Sequence, residues 1–514
     1  MNPRSLSSRP FKSIFAIMQV GSAAPNACFL CHSQKRKCDR QIPGCSRCVS
    51  NNVPCQYTSC ATQENPSHQP LQPITCTQDH DHWSLIIHKS LYYLDQPYIG
   101  TCRKKSIDIG FTSYMFDILA SLNLRLENVI GCYERCMHQW LPFIHPIFLA
   151  QRVASLRDEP CAELASLILH ILLVNPPNVP ELSQLTEIIP LYVVCKKIFS
   201  LLHTYRQDHL ATMQSGLLLA IYEQGSGLHS DSYTTLSCCV NLGFATGLHR
   251  LRQNSSVFEE ERKRVWWSIY LLDRLFYHFD ESSGRTLLVQ SSQSGHELPV
   301  DDELWSNHTG VGPWDPEIKL LSDAMGTTIP GFAQQIEAVY FLEQVVQLTE
   351  IHPVSMMEMT DYDFWRIESL IRKHTVDVLN SSGKDWERPY RAIIILLLAL
   401  IELHKKRLMC LGSVPGRQNN VRESSIAALE MALNITRDIT CMDDILSISK
   451  MPLAAVFLLQ KAGTVAAWLE KHFNHMTEVL QPVTESLERA SKRWIIASRI
   501  SRELSAVGGI SMNV

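Results

Sequence analysis

Six cysteines near the N-terminus constrain this 514-residue chain more than any other feature. They follow the spacing C-x2-C-x6-C-x6-C-x2-C-x6-C and lie at Cys28, Cys31, Cys38, Cys45, Cys48 and Cys55. The pattern repeats itself, because moving the first three cysteines forward by 17 residues gives the last three. Thiolates suit zinc, and structural zinc is tetrahedral, so two Zn2+ ions need eight ligand positions. Six sulfurs fill these positions only if two bridge both metals, and the repeat makes Cys28 and Cys45 the natural bridges.

A disulfide framework is the alternative interpretation of the same cysteines. Disulfide scaffolds belong to short secreted chains. This chain is long, and its 17 cysteines include eleven others that are scattered without pattern. That composition suits a reducing compartment, so the spacing favours zinc.

The segment CFLCHSQKRKCDRQIPGCSRCVSNNVPC, residues 28–55, resembles the fungal Zn2Cys6 binuclear-cluster DNA-binding module. The resemblance rests on the six cysteines, on the basic run between Cys31 and Cys38, and on Pro43 in the loop between the two halves. It implies two zinc ions bridged by the first and fourth cysteines, and double-stranded DNA as the partner.

The resemblance also implies how DNA would be read. In the family, the segment between the second and third cysteines is a short helix whose end enters the major groove, where a lysine reads a CGG triplet. Lys35 occupies the matching position and can donate to guanine O6 and N7. The family often has basic residues where Gln34 and His32 stand here. The DNA-binding candidates are Lys35, Arg36, Lys37, Arg40 and Arg47.

Charge is distributed unevenly along the chain. Residues 1–60 carry eight Lys or Arg against one acid, whereas the remainder carries 39 basic residues against 50 acidic ones. A basic N-terminal segment followed by an acidic remainder predicts a polyanion partner for the N-terminal segment only.

Composition and pattern divide the chain into four segments, and we expect a mostly α protein. These are a leader (1–25), the Zn2Cys6 module (26–58), a Pro-containing linker (59–105) and a large all-helical regulatory domain (106–514). The leader has features of a targeting peptide, and a mitochondrial address or a true start at Met18 are the alternatives. No sustained apolar heptads follow the linker, so no coiled-coil stalk is predicted. The longest apolar run, 392–401, is half of what a membrane span needs, so no membrane partner is expected.

Beyond residue 106, apolar residues recur at helical spacing and strand signals are sparse. The predicted helices are Phe111–Leu122, Leu126–Trp140, Ala162–Leu173, Thr212–Gln224, Ser232–Gly247, Glu259–Phe276, Phe332–Thr349, Asp361–Leu379, Ala392–Met409, Ile426–Thr440, Ala454–Phe473 and Thr484–Leu504.

Two phrases in this region, GFATGLHR (243–250) and EEERKRVWWSIYLLDR (259–274), are similar to the fungal-specific transcription-factor domain, also called the middle homology region. Residues 133–148 resemble its opening segment, and Gly284-Arg285 resembles its later Gly-Arg-Pro. The resemblance extends over about residues 120–310, and more loosely to the C-terminus, and implies a regulatory helical domain.

Catalytic signatures are missing from the sequence, which has no phosphate-binding loop, no H-E-x-x-H and no nucleophile elbow. His145 and His249 are predicted to be packed, hydrogen-bonded histidines, and Asp273 and Arg274 to form caps and ion pairs. We therefore expect that this protein is not an enzyme.

These features together predict a nuclear, sequence-specific transcription factor of RNA polymerase II genes. A pathway-specific regulator, for example of a fungal metabolite gene cluster, is the expected role. The helical domain would regulate the zinc module, bind partners or pair two chains into a homodimer. Binding of DNA as a monomer is the alternative to pairing. The alternative is a ligand-gated regulator with a small-molecule effector pocket in the helical domain.

Overall fold

The computed structural model divides the chain into two compact units, Met1–Thr77 and Gln78–Val514. The structure describes residues 27–41, 45–51, 53, 55, 100–175, 188–205, 210–250, 256–279, 284–290, 295–321, 331–350, 361–381, 389–411, 419–441, 448–473 and 478–507. The predicted leader and most of the predicted linker lie outside these residues. The predicted segment boundaries stay a prediction, although a helix already begins at Gly100 inside the expected linker.

The smaller unit contains two five-residue helices, α1 (Phe29–Ser33) and α2 (Ser46–Ser50). Each follows a cysteine in extended conformation, Cys28 or Cys45. Backbone hydrogen bonds repeat between the halves with the same 17-residue offset as the cysteines. The N–H of residue 32 donates to the carbonyl oxygen of residue 28, and the N–H of residue 49 donates to that of residue 45. The N–H of residue 36 likewise donates to the carbonyl oxygen of residue 31, and the N–H of residue 53 to that of residue 48. The sequence repeat is therefore a structural repeat.

The described part of the larger unit is helical apart from loops, one 3-10 helix and one isolated antiparallel bridge between Glu297 and Leu320. Its helices are α3 (Gly100–Ser121), α4 (Leu126–Cys136), α5 (Pro146–Ser155), α6 (Ala162–Val174), α7 (Ile188–Tyr205), α8 (Leu210–Gly225), α9 (His229–Ala245), α10 (Val257–Phe279), α11 (Asp302–Ser306), α12 (Phe332–Glu350), α13 (Asp361–Ser381), α14 (Tyr390–Leu411), α15 (Asn419–Cys441), the 3-10 helix Ile448–Lys450, α16 (Leu453–Phe473), α17 (Leu480–Ala490) and α18 (Ile495–Val507). The predicted class, a small zinc module followed by a large helical domain, is confirmed.

Two apolar helices anchor the core of this unit. Every residue of α6 is buried, and α6 packs against α3, α4, α7 and α8. Helix α14 packs against α12, α13, α15 and α16. Burying one large aliphatic side chain contributes about 1.5–3 kcal/mol, so helices that are apolar all round must lie inside. Helix α10 contacts α8, α9 and α12, and so connects helices packed around α6 with helices packed around α14.

Helix α10 carries charged residues into the core in neutralised form. The Arg264 guanidinium is fully buried and lies 2.9 Å from the carboxylate of Glu260 and 2.7 Å from that of Asp302. Further along α10, Arg274 Nη2 lies 2.8 Å from Glu343 Oε1 on α12. Removing one partner of a buried ion pair costs about 3–5 kcal/mol, so these pairs hold α10 to its neighbours.

The GFATGLHR motif ends α9 and shapes its contact with α10. A Cβ on Gly243 would lie 2.9 Å from the Trp266 ring, so only glycine permits this approach. Gly247 has φ +71°, in the left-handed region that glycine adopts readily, and it follows the end of α9. The motif therefore has a structural reason of its own.

Most predicted helices agree with the structure to within a few residues, but one prediction was wrong. The stretch Thr484–Leu504 forms two helices, α17 and α18, because the chain turns at residues 491–494. The Trp494 indole donates to the Met451 carbonyl oxygen at 3.0 Å, and its ring fills the space beside Gly225. Tertiary contacts of this tryptophan set the break. Helices α5, α7 and α11 were not predicted.

Helix α16 is long and apolar enough to cross a membrane by length and composition. However, 67% of its most apolar stretch is buried inside the structure, as in the core helix of a globular domain. The expectation of no membrane partner stays a prediction.

Candidate metal centre and nucleic-acid interface

Four cysteine sulfurs converge between the two halves of the smaller unit. The Sγ atoms of Cys28, Cys31, Cys45 and Cys48 all lie within 4.8 Å of one another. Three separations are 3.7 Å, between Cys28 and Cys45, between Cys28 and Cys48, and between Cys31 and Cys45. Tetrahedral zinc with bonds of about 2.3 Å places its sulfur ligands about 3.8 Å apart. The sulfurs are thus spaced as the edges of zinc tetrahedra.

The remaining two cysteines sit at equivalent places in the repeat. The backbone N–H of Cys28 donates to Cys38 Sγ at 3.5 Å, and that of Cys45 donates to Cys55 Sγ at 3.2 Å. Both acceptor sulfurs are half-buried. An N–H donor favours the thiolate form that binds metal. The structure therefore brings together all six cysteines that the sequence indicated.

The protonation of these thiols also fits a metal centre. The hydrogen bond from the Cys28 backbone lowers the pKa of the Cys38 thiol to about 7. Burial raises the pKa of the Cys31 and Cys48 thiols, because an isolated buried thiolate is poorly solvated. When bound, the zinc ions supply the positive charge that holds the sulfurs as thiolates. The Zn2Cys6 module binds two of them.

The predicted DNA-binding residues are all exposed, but they occupy two places. Lys35, Arg36, Lys37 and Arg40 follow the C-terminal end of α1, whereas Arg47 lies on α2. A helix C-terminus favours cations, so the basic run is electrostatically compatible with its place.

The first residue of this run has an unusual backbone conformation. Lys35 has φ +50°, in the left-handed region, and the N–H of Lys35 and that of Arg36 close the last turn of α1 by donating to the carbonyl oxygens of His32 and Cys31. This conformation costs a non-glycine residue about 1–2 kcal/mol. It directs the basic run away from the helix axis.

Sequence reasoning missed the structural role of Asp39, which lies inside the basic run. Its carboxylate accepts from the Ser46 backbone N–H at 3.1 and 3.2 Å, and also from the Ser46 hydroxyl. The Ser46 hydrogen bond lowers the pKa of Asp39. Because Ser46 begins α2, this contact ties the first half to the second. An acid preceding a short helix start is the signal that could have indicated it.

The histidine predictions for the larger unit are partly confirmed. His145 is fully buried, its Nδ1 accepts from Phe148 N–H at 3.3 Å, and its Nε2 lies 2.9 Å from the Trp305 carbonyl oxygen. His249 packs against Phe244 and Trp266, but its Nδ1 has no hydrogen-bond partner among the described residues. Neither arrangement resembles a catalytic base.

Asp273 and Arg274 form the predicted ion pair, at 2.8 Å. Asp273 also accepts from the backbone N–H groups of Leu288 and Val289, at 2.9–3.1 Å. These bonds attach a loop to α10, which is a structural role.

Comparison with known families agrees with this geometry. Residues 26–64 match the fungal Zn(2)-Cys(6) binuclear cluster domain, and residues 164–350 match the fungal specific transcription factor domain. The second match begins after residues 133–148 and ends beyond residue 310, so it is shifted relative to the predicted range. The chain therefore contains both a fungal Zn2Cys6 binuclear cluster domain and a fungal specific transcription factor domain.

Several curated relatives are fungal proteins whose names describe regulators or activators. An uncharacterized transcriptional regulatory protein of Schizosaccharomyces pombe is 32% identical over 17% of this chain and 11% of its own length. Transcription factor BOA15 of Botryotinia fuckeliana is 32% identical over 23% of this chain and 64% of its own length. The activatory protein CHA4 of Saccharomyces cerevisiae is 29% identical over 43% of this chain and 38% of its own length. The matches thus span less than two thirds of each of these relatives, and no solved structure matches the chain.

Proposed function

We propose that this chain is a nuclear, sequence-specific regulator of RNA polymerase II transcription that reads CGG-like triplets. The observation that carries the proposal is an exposed basic run, Lys35 to Lys37, placed directly at the end of a helix within a six-cysteine metal module. The relatives support a regulator rather than an enzyme, because their names describe transcription regulators. A pathway-specific role, for example on a fungal metabolite gene cluster, is part of the proposal.

The basic residues divide in this proposal into one that reads bases and four that bind phosphates. Lys35 donates to O6 and N7 of guanine in the major groove, which discriminates bases by about 1–3 kcal/mol. Arg36, Lys37, Arg40 and Arg47 bind phosphates, which positions the module without reading sequence. The metal centre and the turn at Lys35 hold the reading residue in place, so little conformational entropy is lost on binding.

The metal assignment has Cys28 and Cys45 bridging both zinc ions. The Cys28 sulfur lies 3.7 Å from the Cys48 sulfur in the second half, and the Cys45 sulfur lies 3.7 Å from the Cys31 sulfur in the first half. Bridging ligands must belong to both tetrahedra, and this placement suits them. Cys31 and Cys38 then complete one site, and Cys48 and Cys55 complete the other.

Target choice requires more than one module. A single triplet is too common in a genome to specify a gene, so two zinc modules must act together. We propose that the helical domain pairs two chains into a homodimer, because the sequence after the module lacks a heptad stalk.

Selection of bound DNA from a random library by the full-length protein tests the proposal. CGG-like triplets in pairs are the expected result. Lys35→Ala should reduce affinity for the selected site by about 1–3 kcal/mol and relax choice at the guanines, while Gln34→Ala, an exposed uncharged neighbour, should leave the preference unchanged. Equal losses on selected and random DNA for Lys35→Ala would remove its reading role.

A further inference from the structure

A cleft of about 200 Å³ lies between α10, α12, α14 and α16 in the larger unit. Its floor is formed by Leu275, Leu342, Leu398 and Phe457, which are at most 5% exposed. Protein interiors normally leave few voids larger than a water molecule. An apolar cavity of about 150 Å³ can hold benzene, so this one is large enough for a molecule of about ten non-hydrogen atoms.

One side of the cleft carries a concentration of ammonium groups. Glu402 is 1% exposed, and its Oε2 lies 2.8 Å from Lys461 Nζ. Its Oε1 lies 3.6 Å from the Nζ of Lys406. The preceding residue, Lys405, lines the cleft. Among the described lining residues Glu402 is the sole carboxylate and Lys405 and Lys461 are the lysines, so one negative charge faces two positive ones. The local field therefore favours an anion over a cation.

We propose that this cleft binds a small organic acid, with an apolar body on the leucine and phenylalanine floor and its carboxylate beside Lys461 and Lys405. The apolar body recovers dispersion contacts that the lining side chains otherwise lack. The carboxylate forms charge-assisted hydrogen bonds to ammonium groups, which are stronger than those between neutral groups. Gln460 and Thr464, on the same face of α16 at the mouth of the cleft, select the size of the ligand.

The affinity expected for such a site is modest. A ligand of about ten non-hydrogen atoms that binds with ordinary efficiency for its size has a dissociation constant on the order of 1 mM. Binding requires no DNA and does not rest on the proposed DNA-reading function. Failure of one proposal is therefore distinguishable from failure of the other.

Three probes of the same shape test the charge preference on the full-length zinc-loaded protein. They are 3-phenylpropionate, its neutral isostere 3-phenylpropanamide and the cation 3-phenylpropylamine. Calorimetry and thermal unfolding should show binding of the acid, with a rise in Tm of about 1–3 °C at ten times its dissociation constant. The amide should bind about tenfold more weakly or worse, and the amine should not bind.

Two variants locate the site, each with a matched control. Thr464→Trp fills the mouth of the cleft from an exposed position and should abolish binding, whereas Thr234→Trp on α9 should not. Lys461→Met should weaken the acid about tenfold and remove its advantage over the amide, whereas Lys471→Met, an exposed lysine at the end of α16, should do neither.

Several results would overturn the proposal. Absence of acid binding at about 10 mM, roughly ten times the expected dissociation constant, would show that the cleft is not such a site. Equal binding of acid and amide would remove the charge selection. Unchanged acid binding by a folded Thr464→Trp protein would place the ligand elsewhere.

Discussion

The two halves of the zinc module have matching backbones but different side chains. Helices α1 and α2, their preceding cysteines and their closing hydrogen bonds correspond with a 17-residue offset. The run Gln34-Lys-Arg-Lys37 in the first half corresponds in sequence to Asn51-Asn-Val-Pro54 in the second. Residues 28–44 carry four Lys or Arg and one acid, whereas residues 45–61 carry only Arg47. The cysteines therefore determine the fold of each half, while a few side chains after each helix determine its surface chemistry.

One side-chain contact joins the halves through a carboxylate that the second half does not repeat in sequence. Asp39, in the first half, binds the start of α2, while its sequence equivalent in the second half is Gln56. In the proposed metal assignment the halves are also joined by shared sulfurs. Four sets of variants test how far the equivalence of the halves goes, in order of expected effect.

Cys28→Ala should have the largest effect, because in the proposed metal assignment it removes a sulfur that both metal sites use. Structural zinc contributes about 10–16 kcal/mol to small modules, so the folded module should be lost. Metal analysis of the full-length protein should fall from two zinc ions per chain to one or fewer. Cys238→Ala, a half-buried cysteine in the helical domain, should keep two. Two tightly bound ions in Cys28→Ala would rule out the shared-sulfur arrangement.

Giving the first half the residues of the second should convert its surface without altering its fold. The double variant Lys35→Asn, Arg36→Val should lose about 2–4 kcal/mol of affinity for the selected DNA, one base contact and one phosphate contact. Asparagine tolerates the left-handed backbone at this position, so zinc content should stay at two. Anisotropy titrations at fixed salt measure the loss, and retained sequence preference would show that another residue reads the bases.

Loss of the Asp39–Ser46 contact should loosen the join between the halves. Asp39→Ala should accelerate zinc release to a chelator several-fold, because α2 is no longer held at its first residue. The comparison is a double-mutant cycle with Ser46→Ala, in which the combined variant should be no faster than the faster single variant. Additive effects would mean that the two residues act independently.

Val49→Lys should have the smallest effect. Val49 is 66% exposed on α2, so a lysine there costs little in folding. If the second half also approaches the DNA backbone, non-specific affinity should rise and the salt dependence should steepen by about one charge. The triplet preference should not change, because the side chain is not on the reading half. A changed preference would assign base reading to both halves.

Sequence reasoning predicted the local features well for identifiable physical reasons. The cysteine spacing is a covalent constraint, so the metal ligands could be located without a structure. Helices such as α6 and α12 were predicted closely because each is a long, largely apolar run without glycine or proline. Helix α7 was missed since β-branched and aromatic residues, with Pro190 in its first turn, weaken the helical pattern.

What the sequence by itself determined is the chemistry that depends on short spacing: six thiols for two metals, a basic run beside them, and a helical body. Tertiary structure alone decided contacts between distant residues. It placed Trp494 against Gly225, which divides one predicted helix into two. It also placed Glu402 and Lys461 from separate helices beside one apolar cleft. Periodicity reports which face of a helix is buried, but the partner of that face depends on how the whole chain packs.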